Sequence, residues 1–155
     1  MRAQDNERSH VTEYVTAWIG DQLFGLPIAR VQDVFMLDRL TRVPLAPPEV
    51  AGVLNLRGRI VTAVDMHHRL GLPPLGAANV PMAIGIDLNG ESYGLLIDAI
   101  GEVLKLADDT REPNPINLDR KLNYVAAGVH RLDGRLMIVL DVDRVLDLGA
   151  GAMAA

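Results

Sequence analysis

The stretch AGVLNLRGRIVTAVD, residues 51–65, decides the fold, because it occurs a second time as AGVHRLDGRLMIVLD, residues 127–141. The two copies align without a gap, share Ala, Gly, Val, Leu, Gly, Arg and Asp in register, and stay apolar at most other positions. A similar pair precedes them: FGLPIARVQDV at residues 24–34 and YGLLIDAIGEV at residues 93–103. One supersecondary unit is therefore used twice. Where the copies differ, something other than the fold must explain the difference.

Turn residues recur about every ten positions and divide the chain into short elements. They predict one hairpin over residues 14–28 and another over residues 82–100, the second turning at Asn89-Gly90, a pair that suits a type I′ turn. The short apolar runs 59–64 and 135–140 predict buried strands. Capping and breaking residues predict four short helices: residues 65–70, 119–125 and 141–148, each beginning at Asp, and a single turn from Pro47 to near Gly52.

Short aliphatic strands in two copies predict two small barrels rather than one open sheet, because closure removes strand edges. The repeat also implies a pseudo-twofold relation with a cleft where the halves meet. We place the domain at residues 12–148, with approximate lobes 12–78 and 79–148 and a seam at residues 72–80. Residues 1–11 and 149–155 are expected to be flexible tails.

The composition indicates an aliphatic core and excludes several classes of site. Of the 155 residues, 49% are hydrophobic but only 4% aromatic, and there is no cysteine, which excludes a thiol nucleophile and Cys-based metal ligation. No secretory signal is visible, and no apolar run approaches the roughly 20 residues of a membrane helix. A net charge of −5 with scattered basic residues argues against a nucleic-acid surface. We expect a soluble, cytoplasmic protein.

No set of residues predicts catalysis or metal binding. Serine occurs only at Ser9 and Ser92, and neither a Gly-x-Ser-x-Gly nor a Gly-Lys-Ser/Thr motif is present. His67 and His68 point in different directions on a helix and lack a third ligand at suitable spacing, so we expect a solvated helix face there. His130 stands alone in an apolar repeat. The sequence therefore predicts no catalytic residue, no metal and no cofactor.

The two copies differ in charge at one turn, where residues 55–57 read Asn-Leu-Arg and residues 131–133 read Arg-Leu-Asp. Because the same turn forms with either tripeptide, the fold does not require the change of charge between Arg57 and Asp133. The donor fork of Arg57 suits a carboxylate or amide, and a solvated turn arginine is the equally weighted alternative. A second candidate is a set of aliphatic residues after Pro27 without strict alternation: Ile28, Val31 and Val34. Such a run indicates either an exposed partner surface or a strand buried on both faces.

These segments resemble those of CheW-type chemotaxis coupling proteins. Residues 50–61 are similar to the family's most recognisable run, Gly-Val-x-Asn-Leu-Arg-Gly-x-Ile-Val. Three further stretches resemble other family strands: residues 24–34, 93–98 and 134–141. The sequence departs from the family pattern at Thr62-Ala63, where Pro-Val or Pro-Ile is usual, and at Asp33, where Glu is frequent. With no room for a kinase core or a receiver domain, the chain fits a stand-alone coupler.

The resemblance implies a mainly β fold of two SH3-like five-stranded barrels with a few short helices. It implies a non-enzymatic adaptor between the cytoplasmic tip of methyl-accepting receptors and the regulatory domain of a CheA-type histidine kinase. Such a protein is cytoplasmic, is recruited to receptor arrays at the inner membrane, and neither binds nucleic acid nor inserts into the membrane.

Matching positions imply which residues meet the two partners. The receptor-side residues are these: Ile28, Val31, Asp33, Gly52, Asn55 and Arg57. Ile28 and Val31 would supply apolar contact, and Gly52 would permit close approach. Arg57 would orient its turn or pair with a receptor carboxylate. The kinase-side residues are Ile116 and Tyr124, near a loop of the second barrel.

Two alternatives remain open at this stage. A CheW-like coupler of a non-flagellar pathway, such as pilus motility, has the same sequence features. A small-molecule-binding barrel or a minor hydrolase would need converging polar groups in a pocket. The lack of cysteine and the unconvincing serines and histidines speak against the latter, and a turnover screen with and without metal would discriminate.

Overall fold

The computed structural model describes residues 10–37, 39–73 and 82–148, which form two five-stranded sheets and a few short helices. The strands are β1 (Val11–Ile19), β2 (Gln22–Pro27), β3 (Asp33–Met36), β4 (Val50–Leu56), β5 (Arg59–Asp65), β6 (Met82–Leu88), β7 (Glu91–Ile97), β8 (Ala99–Ala107), β9 (Ala126–Leu132) and β10 (Arg135–Leu140). The helices are α1 (Met66–Leu70), α2 (Arg120–Val125) and α3 (Val142–Val145), with 3₁₀ turns at Ile28–Arg30 and Asp108–Thr110. The predicted mainly β fold with few short helices is confirmed.

Each sheet draws strands from both copies of the repeat. The first has the order β8-β1-β2-β10-β9 and the second the order β3-β6-β7-β5-β4. Parallel pairing of β2 with β10 and of β5 with β7 joins the copies, while the other pairs are antiparallel. The predicted lobes 12–78 and 79–148 therefore interleave, and neither sheet is built from one lobe alone. Most of the predicted tails and of the predicted seam lie outside the described residues, but Val11, placed in the N-terminal tail, already belongs to β1.

A single bridge joins the two edges of each sheet. Thr41, which follows edge strand β3, pairs with Val53 of the opposite edge strand β4. In the other sheet Glu112, which follows β8, pairs with Val129 of β9 in the same way. The chain that leaves one edge thus hydrogen-bonds to the other edge, which satisfies backbone groups that an open sheet would leave unpaired.

One continuous core lies between the sheets and explains why they do not separate. It contains Ile19 and Phe24 from one sheet, Ile84 and Leu95 from the other, and residues of all three helices. The four named side chains are at most 1% exposed. Burying each of them contributes about 1.5–3 kcal/mol relative to leaving it exposed. Each sheet also has a smaller apolar cluster of its own. In the first sheet it contains Tyr14, Leu23, Met137 and Val139, and in the second it contains Leu54, Val61 and Ala63.

The local predictions hold where a turn or cap has a definite chemistry. Asn89 and Gly90 have φ of 52° and 81°, the positive values that a type I′ turn needs. Helix α1 follows Asp65, whose side chain accepts from the His68 N–H, and α2 follows Asp119 in the same manner. The helix predicted at 141–148 is shorter, since α3 ends at Val145. No helix in the described ranges is long and apolar enough to cross a membrane.

The turn of helix predicted from Pro47 to near Gly52 is wrong. Only one turn hydrogen bond forms there, from the Val50 N–H to the Pro47 carbonyl at 2.9 Å. Val50 already belongs to β4 and pairs with Val64 of β5. Strand pairing between the two halves of the repeated hairpin thus outweighs the local preference of a proline pair for a helix start.

Candidate functional site

Asp33 and Arg57 meet at the rim of a cavity at one end of the second sheet. Asp33 begins β3 and Arg57 lies in the turn between β4 and β5, and their side chains form an ion pair with 3.3 Å between Nη1 and Oδ2. The cavity, of about 330 Å³, has the apolar side chains of Phe35, Leu56 and Val61 in its wall. We call it the Asp33 cavity. The arginine side chain is 74% exposed, so its remaining donors are available to solvent or to a partner.

The turn before the ion pair is built by its own residues. Asn55 accepts a hydrogen bond from the Gly58 N–H through its Oδ1 atom, at 2.9 Å. Arg57 has a φ of 51°, which a non-glycine residue adopts chiefly in tight turns. Asn55 therefore supports the turn that presents Arg57, which is a structural role beside the receptor contact predicted for it.

A second ion pair, which also lines the Asp33 cavity, was not predicted from the sequence. Arg59 pairs with Asp87 at 3.1 Å between Nη2 and Oδ1, and it also donates to the Ser92 hydroxyl. Ser92 in turn donates to Asp87 at 3.0 Å. Because Arg59 recurs as Arg135 in the repeat, the sequence alone presents it as a residue of the fold, and no local signal marks its partners.

The equivalent position in the other sheet has a different chemistry. There a cavity of about 610 Å³, the Trp18 cavity, is lined by Glu102 and Asp133 at the positions that correspond to Asp33 and Arg57. Two like charges replace the ion pair. Arg135 lies over the Trp18 ring, 5.1 Å from its centre, instead of pairing with a carboxylate. The difference in charge between the two copies thus gives the Asp33 cavity a rim neutralised by an ion pair and the Trp18 cavity an acidic rim.

Gly52 has an internal reason to be glycine. Its φ is 155°, it sits at a bulge in the pairing of β4 with β5, and a Cβ atom there would lie 2.5 Å from the Thr41 carbonyl oxygen. Gly128 repeats the arrangement against the Glu112 carbonyl oxygen, at 2.9 Å. Both glycines therefore admit the bridging segment that joins the edges of each sheet. The close approach visible at Gly52 is that of the chain itself.

The aliphatic candidates are partly exposed. Ile28 is 40% exposed, whereas Val31 is half-buried and packs against the central core. Val34 and Met36 of β3 are 38% and 63% exposed. Ile100 and Val103 of β8, which correspond to Val31 and Val34 in the repeat, are exposed as well. These two residues were not predicted from the sequence, although the register of the repeat could have identified them.

The predicted kinase-side residues lie on another part of the surface, around the segment that leads into α2. Ile116 is fully exposed. Tyr124 is 44% exposed, donates to Asp147 Oδ2 at 2.7 Å, and lies between the guanidinium groups of Arg69 and Arg144, each 5.7 Å from its ring centre. The hydrogen bond to Asp147 raises the pKa of the Tyr124 hydroxyl.

Within the described residues, Asp33 and Arg57 are the only two candidates that hydrogen-bond to each other through their side chains.

The expectation of a solvated helix face at His67 and His68 is wrong for His67. His67 is 6% exposed and its ring contacts Asp98, whereas the side chain of His68 is 43% exposed. Helix α1 turns His67 toward the bend after β7, a contact between distant segments that local pattern does not show.

His130 is also buried, and desolvation, assisted by Arg111, lowers its pKa. In the described ranges no three His, Asp or Glu side chains cluster in a way that could hold a metal ion.

Comparison with known proteins places the chain in a family. The model of the CheW-like domain matches residues 13–149. The chain belongs to the CheW family. The chemotaxis protein CheW of Rhizobium meliloti (strain 1021) is 31% identical over 145 residues, which are 90% of this chain and 93% of that protein. The chemotaxis protein CheW of Helicobacter pylori (strain ATCC 700392 / 26695) is 26% identical and covers 94% of this chain and 86% of its own length.

A solved CheW structure agrees with the fold described above. The scaffolding protein TtCheW from Thermoanaerobacter tengcongensis superimposes with a TM-score of 0.80 over 90% of each chain, at 24% identity. At that identity the similarity concerns the fold. Membership of the CheW family makes this chain a chemotaxis scaffold or adaptor protein rather than a member of an enzyme family.

Proposed function

We propose that this chain couples methyl-accepting chemotaxis receptors to a CheA-type histidine kinase, without catalysing a reaction itself. The observation that carries the proposal is the Arg57–Asp33 pair at the rim of the Asp33 cavity, since it places a mostly exposed guanidinium beside apolar walls. Some transient interfaces of signalling proteins are small, and a few buried aromatic or arginine contacts typically dominate the affinity of an interface. In the cell the protein would be cytoplasmic and recruited to receptor arrays.

On the receptor side, the candidate residues fall into two kinds. Arg57 and Asp33 supply charge, and Ile28 and Val31 supply apolar surface. A receptor carboxylate would compete with Asp33 for the donors of Arg57, and the exposed part of the guanidinium offers room for both. Asn55 and Gly52 act through the backbone, by holding the turn and the bulge on which Arg57 depends.

The decisive experiment is reconstitution. The full chain is added to receptor-containing membranes and a chemotaxis histidine kinase, and the rate of kinase phosphorylation is measured with and without receptor. A strong rise that requires both this chain and the receptor supports coupling. A rate that is the same without this chain contradicts it.

Arg57→Ala tests the receptor contact. The loss should be roughly 1–3 kcal/mol in binding to a receptor tip, as for a central arginine of an interface. Thermal unfolding should change little, because an exposed ion pair contributes at most about 1 kcal/mol. Arg131→Ala is the matched control, since Arg131 is also 74% exposed and pairs with one carboxylate, Glu112. Equal binding by Arg57→Ala and the native protein would make Arg57 a solvated turn residue.

Ile116→Ser tests the kinase contact. Ile116 is fully exposed, so the substitution should leave the free energy of unfolding unchanged while weakening binding to the kinase regulatory domain. Leu45→Ser serves as control, because Leu45 is as exposed as Ile116 and lies equally far beyond the bridging residue of its own sheet. Tyr124→Phe, which removes only the hydroxyl bonded to Asp147, completes the set. An equal loss in the two serine variants would contradict the assignment of the kinase contact to Ile116.

A further inference from the structure

Helices α1 and α3 occupy equivalent positions in the repeat, and a side chain of each contacts a charged side chain of the other copy. In α3, Asp143 pairs with Arg30, which follows β2, at 3.0 Å between Oδ1 and Nη2. In α1, the residue in register with Asp143 is His67, and it pairs with Asp98, which follows β7, at 2.8 Å between Nε2 and Oδ1. These two contacts, here called ties, are alike in position, with a carboxylate on the helix in one and an imidazole, which is charged only when protonated, on the helix in the other.

The two ties differ in their surroundings. The Arg30 and Asp143 side chains are 34% and 67% exposed, while those of His67 and Asp98 are only 8% and 18% exposed. The other ring nitrogen of His67, Nδ1, faces the carbonyl oxygen of Pro73. A carbonyl oxygen and a carboxylate only accept hydrogen bonds, and a neutral imidazole carries a single N–H. Both contacts can be hydrogen bonds only when both ring nitrogens carry protons.

We propose that His67, Asp98 and Pro73 form a proton-dependent bridge between the two copies, here called the His67 bridge. With two protons the imidazolium donates to Pro73 and to Asp98 at once. With one proton the ring keeps only one of these bonds and leaves the other acceptor without its donor, which is costly at such low exposure. Asp98 also accepts from the Gly20 N–H at 2.6 Å, so the same carboxylate holds the turn between β1 and β2.

Most of the other charged groups near α1 have hydrogen-bonding or ion-pair partners of their own. Asp21 lines the cavity of about 430 Å³ that His67 also lines, together with Gly20, Leu72 and Pro73. The remaining charged residues on α1, on the elements packed against it and directly beside them are Glu49, Arg59, Asp65, His68, Arg69, Glu91, Asp119, Arg120 and Lys121. Asp65 and Asp119 cap helices, Arg69 donates to carbonyls near the end of α3, and Lys121 donates to the His68 carbonyl. Arg59 pairs with Asp87, Glu91 accepts from Tyr93, and Glu49 lies 4.0 Å from His68.

The protonation state of the bridge can be read directly in the native protein. Nitrogen chemical shifts of the histidine rings, recorded on the ¹⁵N-labelled full chain between about pH 5 and pH 8, distinguish a doubly protonated ring from either neutral tautomer. We expect both nitrogens of His67 to be protonated at about pH 5 and one to lose its proton as the pH rises. A neutral ring over the whole range would overturn the proposal without reference to any variant.

Stability of matched variants tests the consequence. Asp98→Asn and Asp143→Asn make the same change in the two ties, but the second leaves a partner, Arg30, that stays charged. The folded state that holds the extra proton is favoured at acidic pH, and that stabilisation is lost as the pH rises. Asp98→Asn should therefore raise the unfolding equilibrium constant about tenfold at about pH 5 and less than about threefold at about pH 8.

Because each variant is compared with the native chain at the same pH, the titration of the other histidines cancels. Asp143→Asn should change the unfolding equilibrium constant by a factor that does not vary over this range. The same factor at both pH values for Asp98→Asn would overturn the proposal. Receptor or kinase binding does not enter either measurement, so the outcome is independent of the proposed coupling function.

Discussion

Replacing Gly52 by alanine should destabilise the fold strongly, because the bulge at this position has no room for a Cβ atom. The added carbon would lie 2.5 Å from the Thr41 carbonyl oxygen and 2.9 Å from Leu40 Cγ, at a φ of 155° that L-residues rarely adopt. The Thr41 carbonyl accepts from the Val53 N–H at 2.8 Å, and the Thr41 N–H donates back at 2.8 Å. Relief of the clash therefore requires the bridge that joins the sheet edges to open.

The expected cost is the sum of two effects. Holding a non-glycine residue in this region costs about 1–3 kcal/mol. Losing or distorting two backbone hydrogen bonds adds about 0.5–1.5 kcal/mol each. We expect the free energy of unfolding to fall by roughly 2–6 kcal/mol, measured by urea titration with circular dichroism detection.

Gly58→Ala is the control for backbone strain without a clash. Gly58 has a φ of 83°, and a Cβ atom there would meet nothing within 4 Å. Its substitution should cost about 1–2 kcal/mol. If Gly52→Ala proved no more destabilising than Gly58→Ala, the close approach of Thr41 would not be the reason for glycine at position 52.

Two further predictions concern buried and stacked side chains. Burial, assisted by Arg111, lowers the pKa of His130, so the unfolded chain binds more protons than the folded one. The free energy of unfolding should therefore fall as the pH drops below about 6.5. The His130→Gln variant should lose less stability than the native chain over this range in urea titrations, and an equal loss would assign the effect to other groups. Arg135→Ala should shift the fluorescence of Trp18, the single tryptophan, and cost about 0.5–1 kcal/mol, whereas an unchanged spectrum would show that the guanidinium does not lie over the ring in solution.

Features with a local cause could be predicted from the sequence. Asn89-Gly90 marks a hairpin because both residues adopt positive φ readily, and Asp65 marks the start of α1 because its side chain accepts from the first turn. The apolar runs at β5 and β10 are too short and too β-branched for helices. The self-similarity of the chain then indicated that these elements form one unit used twice.

Features that depend on distant segments could not be predicted in this way. The parallel pairing of β5 with β7 and of β2 with β10 interleaves the copies, and no turn residue encodes it. The predicted strand at residues 91–100 is broken at Asp98, where β7 ends and a bend precedes β8. At the bend, Asp98 hydrogen-bonds to Gly20 and contacts His67, which lie 78 and 31 residues away.

The candidate site shows the same division. Arg57 was identified from the charge difference between the copies, yet its partner Asp33, 24 residues earlier, came only from the family resemblance. The Arg59–Asp87–Ser92 cluster had no signal at all, because each residue type is ordinary on an exposed strand end. Conversely, Gly52 looked like a partner contact, but the structure gives it a role within the sheet.

The interleaved sheets have a consequence for the origin of the chain. One sheet takes β1 and β2 from the first copy and β8, β9 and β10 from the second, and the other sheet takes the reverse set. A polypeptide of a single copy would supply only part of each such sheet, and an identical neighbour could supply the remaining strands by exchange. The present molecule therefore has the architecture of an exchanged homodimer with both subunits in one chain, and its two halves carry different rim chemistry.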